Sequence, residues 1–384
     1  MEATFQNCDG LTSVKLPASL RSLRQAFSDC PNLESAELQE GIEVLDQALS
    51  MCEKLKSVNL PSTVTSMNGT FQECVSLTEA CLPENVTSSN RAYLNCNSVG
   101  KITIRNKIIG DFAFCNCNKT NELEIPDGVV SIGNSAFYGV PGPKKLTIPG
   151  SVTHIGATAL NQNVEEITFE YGEEPLEYNE RSWSSDWNLQ KLKHLILNRN
   201  IVLTSYSPFS NPSKLTQVEF GDRVTSIPNG LFAGCTGITR LNLPAQMESI
   251  GSEAFAGCTG ITWLTLPAQM QSIGSKAFSG CTGIKGITSY TEDPYPIEDD
   301  TFDQNAYDFT PIYVPQGTVD RYRLRRGWKN FYYINEIGPD GVKGIEASDP
   351  KTKTPILYDL QGRRLQQKPT KGIYIQNGKK VLSK

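Results

Sequence analysis

The sequence predicts a repeat solenoid, a chain wound into short coils that share a parallel β-sheet and one continuous core. Three observations carry the prediction. Residues 234–255, "GCTGITRLNLPAQMESIGSEAF", return almost unchanged as 257–278. An aromatic or leucine anchor recurs about every 22–23 residues, at Phe5, Phe27, Leu49, Phe71, Tyr93, Phe114, Phe137 and Leu160, then at Phe209, Phe232, Phe255 and Phe278. An apolar–x–apolar pair ends eleven residues after an anchor, as in Val14/Leu16, Val58/Leu60, Leu146/Ile148 and Leu264/Leu266. Alternation of period two in a short run describes a strand with one buried face. Proline directly after it (Pro17, Pro61, Pro149, Pro267) ends the hydrogen-bond ladder. One such unit cannot bury its own apolar residues, but stacked units share a core. About thirteen units at ~4.8 Å each predict one sheet of roughly 60 Å.

Within a unit, "SIGSEAF" supplies an inward Ile, a Gly able to take a turn conformation with positive φ, and the anchor. The "AF-x-x-C" segment has the spacing of a single helical or 3-10 turn. Of the eleven cysteines, nine sit three residues after an anchor: Cys8, Cys30, Cys52, Cys74, Cys96, Cys117, Cys235, Cys258 and Cys281. Only Cys81 and Cys115 fall outside the series. Other coils hold Val140, Asn163 or Pro212 at this place, which a disulfide partner or metal ligand would not tolerate. The cysteines therefore read as small buried hydrophobes.

The chain opens "ATFQNC", inside a unit at its anchor, so further repeats, or a signal peptide and cap, are expected upstream. The solenoid is expected over 1–287, with an irregular insertion at 171–190 between the legible strands "EEITFE" and "KHLILN". That insertion holds Tyr171, Tyr178, Trp183 and Trp187. Its tryptophans, spaced i, i+4, either cover the core where the coil bulges or form an aromatic platform. Residues 288–337 lose the period and read as a cap over the last coil, with Trp328, Phe331 and Tyr332 facing inward and a helix opened by Thr318. The acidic string Glu298, Asp299, Asp300 and Asp303 reads as a solvated turn. Residues 338–384 are more basic and hold four short strand patterns, "PILYDL", "RRLQQ", "GIYIQ" and "KKVLS", with Asn377-Gly378 as a hairpin signal.

Net charge is −5 and the isoelectric point about 5.4, which gives no basic footprint for nucleic acid. No apolar run approaches the ~20 residues of a membrane helix. No metal-protease, redox, nucleophile-elbow or phosphate-loop motif occurs, and the two histidines, His154 and His194, are far apart in sequence. Neither enzymatic activity nor a cofactor or metal is expected.

The run "SIGSEAFAGCTGITWLTLPAQMQSIGSKAFSGC" resembles the consensus of BspA-like leucine-rich repeats, and the likeness extends over about residues 3–287. That resemblance implies a curved, right-handed leucine-rich-repeat superhelix, export to the bacterial cell surface or medium, and adhesion to host proteins or other cells. The end "KGIYIQNGKKVLSK" is similar to C-terminal sorting domains of outer-membrane secretion; the alternative is an accessory β module.

If the flanking apolar residues point inward, the middle residue of each pair points outward on the concave sheet. The candidate ligand-binding residues there are Glu124, Thr147, Thr168, Glu219, Asn242 and Thr265, joined by His194, Arg240 and Trp263 two positions earlier. Tyr171, Trp183 and Trp187 form the alternative, aromatic platform. Mixed charge and abundant threonine suit many weak contacts with an extended protein or glycan, or describe a neutral solvated face. The expected partner is a host or bacterial surface protein or glycan, bound by a monomer. A glycan-binding component of polysaccharide uptake and a ligand-free spacer are the competing readings.

Overall fold

The computed structural model describes residues 2–160, 163–179, 189–204, 207, 209 and 214–338, together with four strand backbones in the tail. The chain is a parallel β-solenoid of about thirteen turns. The coils stack through three hydrogen-bonded columns.

The first column is the L-x-L ladder. Ser13–Lys15, Ser35–Glu37 and Ser57–Asn59 pair in parallel, as do Lys145–Ile148, Glu166–Phe169, His194–Leu197 and Gln217–Phe220. Every second residue enters the core, so Leu146, Ile148, Ile167 and Phe169 are buried. The second column is built from the Ser-Ile pairs, with Ser131–Ile132 bonded to His154–Ile155 and Ser249–Ile250 to Ser272–Ile273.

The third column carries the anchors. Phe27 N–H donates to Ala48 O at 2.9 Å, Phe71 N–H to Ala92 O at 2.8 Å and Phe255 N–H to Ala277 O at 2.9 Å. Peptide groups here point along the solenoid axis because residues two before and two after the anchor are left-handed: Gln25 (φ 54°) and Asp29 (58°) flank Phe27. Turn bonds from residue i+3 to i follow, such as Cys74 N–H to Phe71 O at 3.1 Å. The anchor segment is therefore a turn between left-handed residues; among the described residues the short helices, Gln304–Phe309, Val319–Leu324 and Trp328–Asn330, lie beyond the repeats.

Two further expectations are corrected. The Gly of "SIG" does not need positive φ. Gly251 and Gly274 have ordinary backbones, but a Cβ on them would lie 2.5 Å from Asn229 N and 2.3 Å from Ser252 N of the preceding coil. These glycines let one coil's backbone approach the next. The expected single sheet is also interrupted. Strands Ser57–Asn59 and Glu79–Leu82 do not pair, Lys101–Ile104 meets the following coil only at Lys101↔Glu122, and Leu241↔Leu264 is an isolated bridge.

Inside, the anchor rings form a column. Centroids are 5.1 Å apart for Phe71–Tyr93, 5.5 Å for Phe114–Phe137 and 5.4 Å for Phe255–Phe278. Offset stacking of this kind adds ~0.5–1.5 kcal/mol per pair beyond area burial. The cysteines stack beside it. From Cys30 on, each thiol of the series donates to the anchor carbonyl of the coil before: Cys74 Sγ to Leu49 O at 3.0 Å, Cys96 to Phe71 O at 2.9 Å, Cys258 to Phe232 O at 3.1 Å. They pack as hydrophobes and also satisfy a carbonyl.

Beyond residue 287 the L-x-L ladder continues through Gly286–Ser289, Ile312–Val314 and Ile334–Glu336. Trp328 is buried and its Nε1–H donates to Tyr295 O at 2.7 Å; Phe331 is buried beside it, while Tyr332 is exposed. Thr318 does precede the helix, but its hydroxyl donates back to Pro315 O at 2.7 Å instead of capping. The acidic string is more than a solvated turn. Asp303 accepts from Ser279 Oγ at 2.8 Å and Gly280 N–H at 2.7 Å, Asp300 accepts from Ser275 at 2.9 Å, and Glu298 pairs with Arg326. In the tail, Leu357–Tyr358, Arg364–Leu365, Gly372–Gln376 and Lys379–Ser383 form an antiparallel sheet.

Candidate functional site

The outward side of the L-x-L ladder holds most of the candidate residues, though not as one array. Thr147, Thr168, Ile196 and Glu219 occupy one register across four adjacent strands. His194 stands in the neighbouring register, with Nδ1 3.4 Å from Glu166 and Nε2 3.0 Å from Glu219. Lys145 pairs with Glu166 at 3.0 Å, and that contact holds the Glu166 carboxyl below its usual range, with His194 adding to the effect. Lys193, then Lys144, lowers Glu165 in the same way, and Lys15 lowers Glu37 across a 3.0 Å pair. Opposite charges on adjacent parallel strands thus neutralise much of this face locally.

Glu124 is exposed outside the paired strands, because its L-x-L segment pairs with the previous strand only at Glu122. Arg240 and Asn242 are exposed on either side of the Leu241 bridge, next to Trp263 and Thr265. Among the described residues, the side chains of Glu124, Thr147, Arg240 and Asn242 have no hydrogen-bond or ion-pair partner.

Trp263 is only partly exposed. Its indole reaches over Gly286, whose missing side chain leaves the room, donates to Thr288 Oγ1 at 3.1 Å and stacks on Tyr313 at 6.0 Å. It covers the buried Thr288 and is not an open stacking surface. Tyr171 is exposed, but the Arg223 guanidinium sits 3.8 Å from its ring centroid and occupies one face. Trp183 and Trp187 lie outside the described residues.

Two openings were not visible as sites in the sequence. The first is a 360 Å³ cleft between strands Ser57–Asn59 and Glu79–Leu82, lined by Val58, Phe71, Cys81, Tyr93 and Thr103. Its cause is one hydroxyl. Tyr93 stands where most coils have Phe; its Oη accepts from Cys81 N–H at 3.0 Å and donates to Cys81 O at 2.7 Å, taking up backbone groups of that strand. The second is a groove across the anchor turns of the first six coils. A tyrosine in a phenylalanine column and a glycine at Gly69 were the signals available.

Burial raises the thiols of Cys30, Cys52, Cys74, Cys96, Cys117 and Cys281, Cys52 up to about 12, so these are protonated at neutral pH and poor nucleophiles. Cys81 is also raised by burial, with Arg105 opposing. His154 pairs with Glu177 at 2.9 Å on the second column, away from His194. Among the described residues no group of three His, Cys, Asp or Glu side chains could hold a metal ion, and no helix is long and apolar enough to cross a membrane.

No curated protein matches the chain. Among solved structures it is similar to a leucine-rich repeat protein from Bacteroides ovatus, with 23% identity, 88% of this chain and 87% of that one covered, and a TM-score of 0.61. A leucine-rich cell surface protein from Faecalibacterium prausnitzii matches at 21% identity over 73% and 79% of the two chains, TM-score 0.33. The pneumococcal vaccine antigen PcpA matches at 16% identity over 85% and 89%, TM-score 0.37. The first likeness supports the solenoid fold. Six copies of the family model described as the BspA type leucine rich repeat region match residues 1–98, 88–201 and 184–309, and the chain belongs to that family.

Proposed function

We propose that this chain is a non-enzymatic binding protein of the bacterial surface or medium, an adhesin that engages a host or bacterial surface protein or glycan through the L-x-L face as a monomer. Support comes from the outward residues of that face. Glu124, Thr147, Arg240 and Asn242 are exposed and unpartnered among the described residues, on a framework whose backbone is already ordered. Such side chains lose little hydrogen bonding when a partner arrives, and many weak contacts on a preorganised face sum to useful affinity. Local pairing of Lys145 with Glu166 and Lys15 with Glu37 leaves no dominant sign, which favours a mixed protein or glycan surface over a polyanion. Within this reading the C-terminal β module serves as a sorting or anchoring tail.

Binding kinetics against matrix proteins, mucins and common glycans test the proposal, with each hit repeated on Glu124→Lys plus Thr147→Arg and on Trp183→Ala plus Trp187→Ala. Loss with the first pair is the expected result. Loss only with the second moves the site to the insertion, and a panel without hits favours a ligand-free spacer.

A further inference from the structure

We infer that the solenoid carries a second, separate binding site, a groove along its anchor turns that takes a neutral, hydroxyl-rich chain: a linear oligosaccharide. The groove lies between two rows of side chains. One row, three residues before each anchor, runs from Glu2 through Asp46 and Asn68 to Asp111; the other, two before, runs from Gln25 through Gln47 and Gly69 to Phe112. It crosses six coils, or about 24 Å at ~4.8 Å per coil. Its volume is about 630 Å³.

The opening has a local cause. Gln25, Gln47, Arg91 and Phe112 all hold left-handed backbone, with φ of 54°, 53°, 58° and 56°. Gly69 has the same conformation (φ 59°) but no side chain, so the row is missing one member in its middle. Gln72 Oε1 and the Gln47 stem border the gap, 3.8 and 3.2 Å from where a Cβ would stand.

Three features select the ligand class. First, the backbone has no free edge: Gln25 N–H donates to Asp46 O, Gln47 N–H to Asn68 O, Gly69 N–H to Asn90 O and Arg91 N–H to Asp111 O, all at 2.7–2.9 Å. An extended peptide therefore cannot add as a strand. Second, signs alternate. Carboxylates at Glu2, Asp46 and Asp111 face guanidinium groups at Arg24 and Arg91, with Arg24 and Asp46 paired at 3.3 Å, so a polyanion or polycation meets repulsion along its length. Third, the unused groups are planar and polar. Gln47 Nε2, the Arg91 guanidinium and Asp111 Oδ2 have no hydrogen-bond partner among the described residues, and Arg91 lies 5.9 Å over the Phe112 ring. Amide, guanidinium and carboxylate groups bridge adjacent hydroxyls, and an aromatic ring receives the C–H face of a sugar.

The site is independent of the L-x-L face, and so is its test. The full chain is titrated calorimetrically with neutral linear hexasaccharides of glucose, mannose and xylose, with a heparin fragment and an uncharged extended peptide as comparators. Gly69→Gln restores the missing side chain in a conformation that Gln25 and Gln47 already adopt, at the cost of left-handed strain, so its fold is retained, as a cooperative thermal transition with a midpoint lowered by only a few degrees would verify. A neutral hexasaccharide is expected to bind, to weaken about tenfold or more with Gly69→Gln and with Phe112→Ala, and to ignore Glu124→Lys plus Thr147→Arg. The proposal is overturned if no neutral hexasaccharide binds at ~1 mM, if either comparator binds more tightly, or if the two groove variants leave the affinity unchanged.

Discussion

Replacing Gly251 by alanine separates two reasons a chain can need glycine. A Cβ at Gly251 would stand 2.5 Å from both Asn229 N and Asn229 Oδ1 and 2.7 Å from Pro228 C, all in the preceding coil. Two of those three atoms are backbone, so no rotamer change relieves the clash, and the coils must part. Overpacking of this kind costs ~1–3 kcal/mol. Parting also strains Gly251 N–H to Ile227 O and Ser252 N–H to Asn229 Oδ1, both 2.8 Å. Such bonds contribute ~0.5–1.5 kcal/mol each. The expected loss is about 3 kcal/mol, near the upper end of the clash term. Two glycines serve as controls. Gly100→Ala meets nothing within 4 Å on an ordinary backbone. It should be neutral or stabilise by ~0.4–1 kcal/mol through the unfolded chain. Gly128 also faces open space but has φ +95°. Its alanine should show strain alone, roughly 1–2 kcal/mol. Urea unfolding followed by far-UV circular dichroism ranks the three, and hydrogen exchange shows whether the damage centres on the coils around Gly251. If Gly251→Ala unfolds with Gly100→Ala, close approach is not what the glycine provides.

Two predictions concern hydrogen bonds and charge. Tyr93→Phe leaves Cys81 N–H and C=O without their hydroxyl partner and should cost ~1–3 kcal/mol, with faster amide exchange at Cys81; an unchanged urea midpoint would mean the strand simply closes onto Ser57–Asn59. The carboxyls of Glu37, Glu40, Glu165 and Glu166 are all held below the ordinary 4.5 in the folded chain, by Lys15, by the Ser62 N–H, by Lys193 and by Lys145 respectively. A depressed folded value means the unfolded chain binds more protons in that window, so the stabilisation is present above 4.5 and is lost as pH falls through the folded values. Thermal midpoints should be flat from about pH 7 to pH 5 and then decline, less steeply in high salt; a midpoint that rises on acidification contradicts the assignment.

The period, the aromatic column and the cysteine series were legible because repetition states each inward position many times. Outward consequences were not. Left-handed residues flank most described anchors, but Gln25, Asp29, Met51 and Glu253 hold those places in some coils and Gly69, Gly139, Gly234 and Gly257 in others, so glycine alone does not mark the turn. The glycine that is visible, in "SIG", answers a distance between coils that no single unit contains. Tyr93 keeps the hydrophobic pattern of the phenylalanines, and only the reach of its hydroxyl reveals the broken ladder. Gly69 looks like one small residue among many until the coils are superposed and the row of side chains beside it appears. The candidate residues divide for the same reason. Thr147, Thr168 and Glu219 align because their strands pair, while Glu124 stands apart because its L-x-L segment pairs at one residue only.

A solenoid of this kind has little freedom in where it can bind. Backbone donors and acceptors of the anchor turns are consumed coil to coil, as with Phe71 to Ala92, and the paired strands of the L-x-L ladder are consumed likewise. Inward side chains are fixed by the ring and thiol columns, so variation falls to outward positions, where each coil can differ without disturbing its neighbours. Lys15, Glu37 and Asn59 share one register with three different chemistries, while Phe71, Tyr93 and Phe114 share another with nearly one. Affinity on such a surface is a sum over coils, and each substitution removes only its own small share. Places where the columns themselves are broken, by the hydroxyl of Tyr93 or the bare backbone of Gly69, are different. There the surface gains depth, and one residue sets it.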